Sequence, residues 1–436
     1  MKIIIKKLIA ILLLYTILFS NSISTIINAQ GLEISAQSAI LMDVRTGTIL
    51  FEKNKDEKKF PASTTKIMTA LLTLEKCKNL NEKIKMSHNA IYNLEPGSSH
   101  IAMNEGETLT IEQALYGMLV ASANEIANAL AEYVSKDTAS FCKLMNARAK
   151  QLGCKNTNFV NPHGFHNENH YTCANDLALI MKQAIKFKKF DQIIATKRYE
   201  IPPTEKQPES RILYNTNKMI QGGKFFNENV VGGKTGFTDE AGHTLVTYAK
   251  KNNAQLICVV MGEENTNAYT DTNKLLEYGF ADFHDVELLK RDDYQRNCIV
   301  VQKYKDKMIE IDDVNVYPEK DITITVPNSI SKNDLKLTAA LPEKILPPVN
   351  KDKAVGKIYV RYKNQKLEEF KIVPQENIEP LDSKSIAKIV HKQLIHKIFF
   401  VSLKIISYVA LAIGVIIFIL FIIRHFNIRK RKRRRF

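Results

Sequence analysis

Ser63 and Lys66 lie three residues apart, so on a helix both side chains project from one side and an amine can reach a hydroxyl. A serine hydroxyl attacks poorly until a neighbouring base takes its proton, and a lysine can be that base when burial or a nearby cation lowers its pKa. The pair alone carries little information, because S-x-x-K recurs at Ser140, Ser329 and Ser385, and S-x-N occurs at Ser87, Ser122 and Ser331. The discriminating element is Lys234-Thr235-Gly236, found once, directly after two glycines in an apolar run. Ser63-Thr64-Thr65-Lys66, Ser122-Ala123-Asn124 and Lys234-Thr235-Gly236 follow one another in an order that predicts one site assembled from distant segments.

The elements that must position these residues are legible in periodicity. Ser38 to Val44 and Thr48 to Lys53 are β-prone runs separated by Arg45-Thr46-Gly47, which predicts a hairpin. After Pro61, a favoured first-turn residue, Ile67, Ala70, Leu71 and Leu74 keep the spacing of one buried helix face. Thr110 and Gln113 predict a capping box, with Ile111, Ala114, Leu115 and Met118 facing inward, and a third helix is expected over Glu125 to Val134. Strands return at Val230 to Gly236, His243 to Lys250 and Gln255 to Met261, with turns at Asp239 to Gly242 and Asn252-Asn253. A helical middle between extended flanks argues one α+β domain, its antiparallel sheet completed by both ends of the domain. Past about residue 290, short alternating runs such as Ile322 to Val326 and Lys357 to Tyr362 predict a small all-β domain for spacing or partner contact.

Other reactive clusters are weaker. His163, His166 and His170 fall close together, but H-x-x-H-x-x-x-H in a Pro/Gly loop matches no common zinc spacing, so no metal is expected. Glu263-Glu264 follows a strand, where adjacent side chains point opposite ways, and reads as a solvated turn. The six cysteines (77, 142, 154, 173, 258 and 298) show no C-x-x-C spacing, and a domain this large needs no disulfide staples.

Composition and charge bound the rest. With 436 residues, 45% apolar and 25% charged, and only 17 Gly and 13 Pro, the chain is globular rather than disordered or collagen-like. Of the formal charge of +16, Lys2, Lys6 and Lys7 account for +3 and Arg424 to Phe436 for +8, leaving +5 on the middle. That distribution excludes nucleic acid as a partner. The three lysines precede the apolar run Leu8 to Phe19 and a small-residue site ending at Ala29, the pattern of a signal peptide. Ile405 to Ile423 is an uncharged stretch long enough to cross a bilayer, and the basic cluster after it places the C-terminus in the cytoplasm. Lys384, Lys388 and Lys392, with apolar residues between, fit a basic amphipathic helix on membrane lipid. The expected organisation is therefore a signal peptide (1–29), a catalytic domain (30–288), a β-rich domain (289–378), a juxtamembrane amphipathic segment (379–404), a transmembrane helix (405–423) and a basic cytoplasmic tail (424–436). It implies a cell-membrane protein with one C-terminal span and an extracytoplasmic catalytic domain.

Over about Ile34 to Phe280 the sequence resembles the low-molecular-mass penicillin-binding proteins that act as D-alanyl-D-alanine carboxypeptidases, within the serine β-lactamase and transpeptidase superfamily. Besides the three motifs, Pro61-Ala62, Asn161-Pro162-x-Gly164, His170-Tyr171-Thr172 and Gly232-Gly233 carry the likeness. The resemblance implies that Ser63 attacks the carbonyl between two D-alanines of a peptidoglycan stem peptide and forms an acyl-enzyme, and that β-lactams inhibit covalently. Lys66 would be the general base, Ser122 a proton relay to the departing amine, and Asn124 a hydrogen-bonding partner of substrate or Lys66. Lys234 and Thr235 would receive the terminal carboxylate, Gly236 would let the strand approach closely, and the backbone N–H groups of Ser63 and Phe237 would hold the oxyanion. No cofactor is implied. Two other readings compete: a β-lactamase, opposed by the lack of an E-x-x-L-N arrangement between Ser122 and Lys234 and by the added β-domain, and a silent wall-binding or β-lactam-sensing protein, opposed by the intact motifs.

Overall fold

The structure, a computed structural model, describes residues 32–433 apart from Asn364, so the expected signal peptide and the last residues of the basic tail lie outside the described residues. Contacts divide the chain into two compact units, one running to Val286 and including Thr323–Lys332, the other comprising Glu287–Ile322 and the residues from Asn333 onward.

The first unit is built on strands β1 (Ser38–Asp43), β2 (Ile49–Lys53), β3 (Val230–Thr238), β4 (Gly242–Lys251) and β5 (Ala254–Glu263). They form an antiparallel sheet in the order β2-β1-β5-β4-β3, so the hairpin from the start of the unit joins the meander from its end, with Leu41 opposite Cys258 and Thr247 opposite Cys258 on the other side. Both faces are covered. The period of two sends Ile40, Met42, Ile257, Val259 and Met261 to one face and Ala39, Leu41, Leu256, Cys258 and Val260 to the other. That double burial explains why β1 and β5 read as continuous apolar runs rather than alternating ones.

One face carries helices α1 (Lys66–Lys76), α2 (Ile111–Val120), α3 (Asn124–Ser135), α4 (Thr138–Gln151) and α5 (Ala174–Ala184). The other packs against α6 (Asn267–Ala281) through Ala268, Leu275 and Leu276. The expected single buried face of α1 is a correction: every residue from Lys66 to Thr73 is buried, because α1 is packed against both α3 and α5. Its polar residues turn to backbone oxygens, Thr69 Oγ1 donating to Pro162 O at 2.6 Å and Thr73 Oγ1 to Thr69 O at 2.8 Å. The capping box at α2 is formed, with Gln113 N donating to Thr110 Oγ1 at 3.1 Å and Thr110 N to Gln113 Oε1 at 2.8 Å. Thr323–Lys332 returns to this unit, where Thr325 Oγ1 donates to Asp285 Oδ1 at 2.8 Å and lies 2.9 Å from Thr46 Oγ1.

The second unit contains β6 (Arg296–Tyr304), β7 (Lys307–Pro318), β8 (Leu335–Ala340), β9 (Lys344–Ile345), β10 (Gly356–Tyr362) and β11 (Gln365–Pro374), in the order β8-β10-β11-β7-β6-β9. Its core is drawn from Val300, Val314, Val316, Val360 and Ile372. From Ser383 a single helix, α7, runs to Arg433, started by Asp382, whose carboxylate accepts Ser385 N at 2.7 Å. The basic segment from Ser383 and the apolar stretch are thus one uninterrupted helix, whose part to Ile422 is long and apolar enough to cross a membrane and has none of its apolar window buried.

Thr110→Ala removes the reciprocal cap at the head of α2. It should cost about 1 kcal/mol, read as a lower urea midpoint with an unchanged slope, while Thr110→Ser retains most of the stability.

Candidate active site

Ser63 sits on a one-turn 3₁₀ segment, Ala62–Thr65, that runs directly into α1. The turn is anchored through the carbonyl of Pro61, which accepts Thr64 Oγ1 at 2.7 Å, Thr64 N at 3.3 Å and Thr244 Oγ1 of β4 at 3.0 Å. Ala62 has φ of +47° and Ser122 φ of +64°, left-handed conformations that cost energy in residues other than glycine. Two of the predicted motifs therefore begin at strained backbone held in place by surrounding contacts.

Lys66 is fully buried, and its Nζ lies 2.8 Å from both Ser63 Oγ and the carbonyl oxygen of His163. Burial pushes its pKa well below the ordinary lysine value; the charge of Lys234 lowers it further, and Glu125 partly opposes them. Lys234, on β3, is also buried, with Nζ donating to Thr235 O at 2.8 Å, and desolvation brings it down to about 7. The hydroxyl of Thr235 lies 2.6 Å from that of Thr216. Gly236 explains how β3 comes so close: a Cβ there would lie 2.4 Å from Thr244 Oγ1 and 3.0 Å from Ser63 N. Phe237 points outward, 55% exposed, its ring 4.6 Å from that of His243.

The link between α2 and α3 supplies Ser122 and Asn124, both buried. Ser122 Oγ and Asn124 Oδ1 find no hydrogen-bond partner among the described residues, so both polar atoms are available to a ligand. Motif matching missed their neighbour Glu125. It is buried, its Oε1 accepts Ile101 N at 2.7 Å, and burial raises its pKa. Its signal was an acid directly after the S-x-N motif, in the first turn of α3.

The loop Asn161–Gly164 holds the other side of Lys66. Asn161 Oδ1 accepts Gly164 N at 2.6 Å, Asn161 Nδ2 donates to Phe165 O at 2.9 Å, and Gly164 takes φ of +88° beneath the 3₁₀ turn. His170 Nδ1 accepts Val160 N at 3.1 Å, which leaves the proton on Nε2, 2.8 Å from Thr65 Oγ1. Burial lowers both His163 and His170 to about 3, so each works as a neutral hydrogen-bonding ring.

The expectation for Glu263-Glu264 requires correction. Glu264 is exposed, but Glu263 is 2% exposed and its Oε2 accepts Ser35 Oγ at 3.0 Å, the same hydroxyl lying 2.9 Å from Asp271 Oδ2. Burial, then the neighbouring Asp271, raises Glu263 to about 7. Local alternation said nothing about α6 packing over that side of the strand.

Both parts of the chain are similar to known proteins. Residues 24–265 match the D-alanyl-D-alanine carboxypeptidase family and residues 283–380 the penicillin-binding protein 5 C-terminal domain. D-alanyl-D-alanine carboxypeptidase DacF of Bacillus subtilis is 32% identical over 86% of this chain and 95% of its own. DacC of Escherichia coli is 31% identical over 79% of this chain and 85% of its own. Penicillin-binding protein 5 from Haemophilus influenzae superposes with a TM-score of 0.67 at 28% identity, covering 80% of this chain and 99% of that one.

Gly164 is the sharpest test of the geometry, because a Cβ there would lie 1.8 Å from Ala62 O. Gly164→Ala is expected to lower the Tm by several degrees and to displace the loop carbonyl from Lys66. Unchanged thermal unfolding would contradict the packing described.

Proposed function

The chain belongs to the D-alanyl-D-alanine carboxypeptidase family of serine peptidases, and from that premise we propose that Ser63 is its nucleophile and Lys66 its general base. The observation that carries this reading is the 2.8 Å contact between Ser63 Oγ and a fully buried Lys66 amine. A lysine removed from water and placed near a second cation is held neutral part of the time, as a base must be.

In the proposed reaction, a peptidoglycan stem peptide ending in D-alanyl-D-alanine lies along β3, with its terminal carboxylate at Lys234 and Thr235. Carboxylate binding there restores the charge that burial weakens on Lys234. The neutral Lys66 amine takes the Ser63 proton as Oγ attacks the penultimate carbonyl carbon. The resulting oxyanion is received by the N–H groups of Ser63 and Phe237. The intermediate collapses, the C–N bond breaks, and Ser122 gives its hydroxyl proton to the leaving amine of D-alanine while taking the proton held by Lys66, which is neutral again. Asn124 holds the substrate amide or the Lys66 amine. Water, deprotonated by Lys66, then attacks the Ser63 ester and releases the shortened peptide. A β-lactam presents a strained amide to the same hydroxyl and forms the analogous ester, and this is the basis on which we expect covalent inhibition.

The same reading assigns residues 1–29 to export, 30–288 to catalysis, 289–378 to a supporting β-domain, 379–404 to the membrane surface, 405–423 to the span and 424–436 to the cytoplasm. Support comes from the long exposed apolar helix and from the basic residues that follow it. The protein would then trim wall peptides from the outer face of the cell membrane, with consequences for wall assembly and cell shape. Removal of the residues after Asp382 is expected to shift the protein from the membrane to the soluble fraction with D-alanine release retained. Persistent sedimentation with membranes would overturn the assignment of the anchor.

Ser63→Ala should abolish D-alanine release and the mass increase on incubation with a penicillin. Lys66→Met should lower kcat by roughly 10²–10⁴-fold and Ser122→Ala by about 10²-fold. For the intact enzyme, kcat/KM should rise with pH as Lys66 loses its proton, at a pH well below the ordinary lysine value. Because the Lys234 charge depresses Lys66, Lys234→Gln should move that rise to higher pH. A rise at the same pH in the variant would show that Lys66 is not the group being titrated.

A further inference from the structure

Between the strand Arg211–Tyr214 and β3 the chain passes through Asn215-Thr216-Asn217, where both asparagines are buried and the threonine between them is exposed. Asn215 Nδ2 donates to Thr196 O at 2.9 Å, and Asn217 Oδ1 accepts Met219 N at 3.0 Å, so side chains turned inward fix the residue from either side. The backbone of Thr216 is fixed as well. Its N–H donates at 3.2 Å to the carbonyl of Val120, the last residue of α2 and two before Ser122, and its own carbonyl accepts Tyr269 Oη of α6 at 3.4 Å.

What this rigid backbone presents outward is a hydroxyl 2.6 Å from that of Thr235. Each threonine hydroxyl has one proton to give, whereas a carboxylate only accepts. The contact between the two hydroxyls uses one of the two protons and leaves one for a ligand. With a terminal carboxylate between Lys234 and Thr235, the remaining proton is the one on Thr235, so Thr216 is the donor within the pair. Without that donor the Thr235 hydroxyl rotates freely and gives its proton to water as readily as to the carboxylate. A hydroxyl that already accepts a hydrogen bond is also the stronger donor, because chained hydrogen bonds polarise one another.

We propose that Thr216 is a positioning residue for recognition of the substrate's terminal carboxylate: its hydroxyl donates to Thr235 Oγ1 and so directs the Thr235 proton at the ligand. The proposal rests on the carboxypeptidase reading above, in which Thr235 meets the carboxylate, and adds to it a residue outside the three motifs. Because Thr216 also bonds to Val120, a single residue spaces the carboxylate end of the site from the link that carries Ser122.

The test measures D-alanine release from Nα,Nε-diacetyl-L-Lys-D-Ala-D-Ala by the full chain in detergent. Thr216→Val keeps the shape of the side chain and removes the hydroxyl; kcat/KM is expected to fall about fivefold, the effect of one hydrogen bond, carried by KM with kcat nearly unchanged. Thr216→Ser should restore KM. In a double-substitution cycle with Thr235→Val, adding Thr216→Val should cost little more, because the group it orients is gone. Thermal unfolding of each variant accompanies the assay, and Thr216→Ala replaces Thr216→Val in the cycle if the valine variant unfolds early. An unchanged KM on loss of the Thr216 hydroxyl, or a loss of equal size with and without Thr235, would overturn the positioning role while leaving the carboxypeptidase intact. No release by the unmodified enzyme would instead overturn the carboxypeptidase reading and the positioning role together.

Discussion

Everything at this site depends on a lysine amine with no water around it. Lys66 is surrounded by neutral acceptors, Ser63 Oγ and His163 O, and its nearest influential charges are a second buried lysine and a partly opposing buried carboxyl at Glu125. An ammonium without a carboxylate partner is expensive to bury, so the fold favours the uncharged amine at this position. The same expense explains the architecture: α1 is buried along its first two turns because α3 and α5 both pack against it, and both are needed to keep solvent away.

Keeping that environment dry requires backbone to approach backbone more closely than side chains permit. Gly236 brings β3 against the N–H of Ser63, and Gly164 brings the Asn161–Gly164 loop under the carbonyl of Ala62. Between them the strained turn at Ala62 has contacts on both sides, and Pro61 O ties it to β4. Strain at Ala62 is sustained by this packing, which is how a conformation unfavourable in isolation persists at a reactive centre.

Charge is graded along the edge strand. Lys234 supplies the cation at one end, in the interior, whereas the turn after β3 and a cavity beside Phe60 carry carboxylates at the surface. A ligand with an anionic and a cationic end would be oriented by that gradient before any covalent step. Orientation of this kind acts on encounter and register more than on the barrier itself.

Ser63, Lys66, Ser122, Asn124 and the Lys234-Thr235-Gly236 run could be singled out in the sequence because each is a short motif defined by residue type and local spacing, and the structure brings Ser63, Lys66 and Gly236 together. The five strands of the catalytic sheet and the capped helix at Thr110 were legible for a similar reason, since period and capping are local properties. What lay beyond local reading was whatever depends on a partner far along the chain. Glu125 acquires its influence from Lys66 on another helix, His163 contributes a backbone carbonyl that no residue pattern records, and Glu263 becomes buried because Ser35 and Asp271 meet over it. Sequence determined which groups are present and in what order. Only the tertiary structure decided their solvation, and solvation is what separates a surface cation from a lysine held largely uncharged.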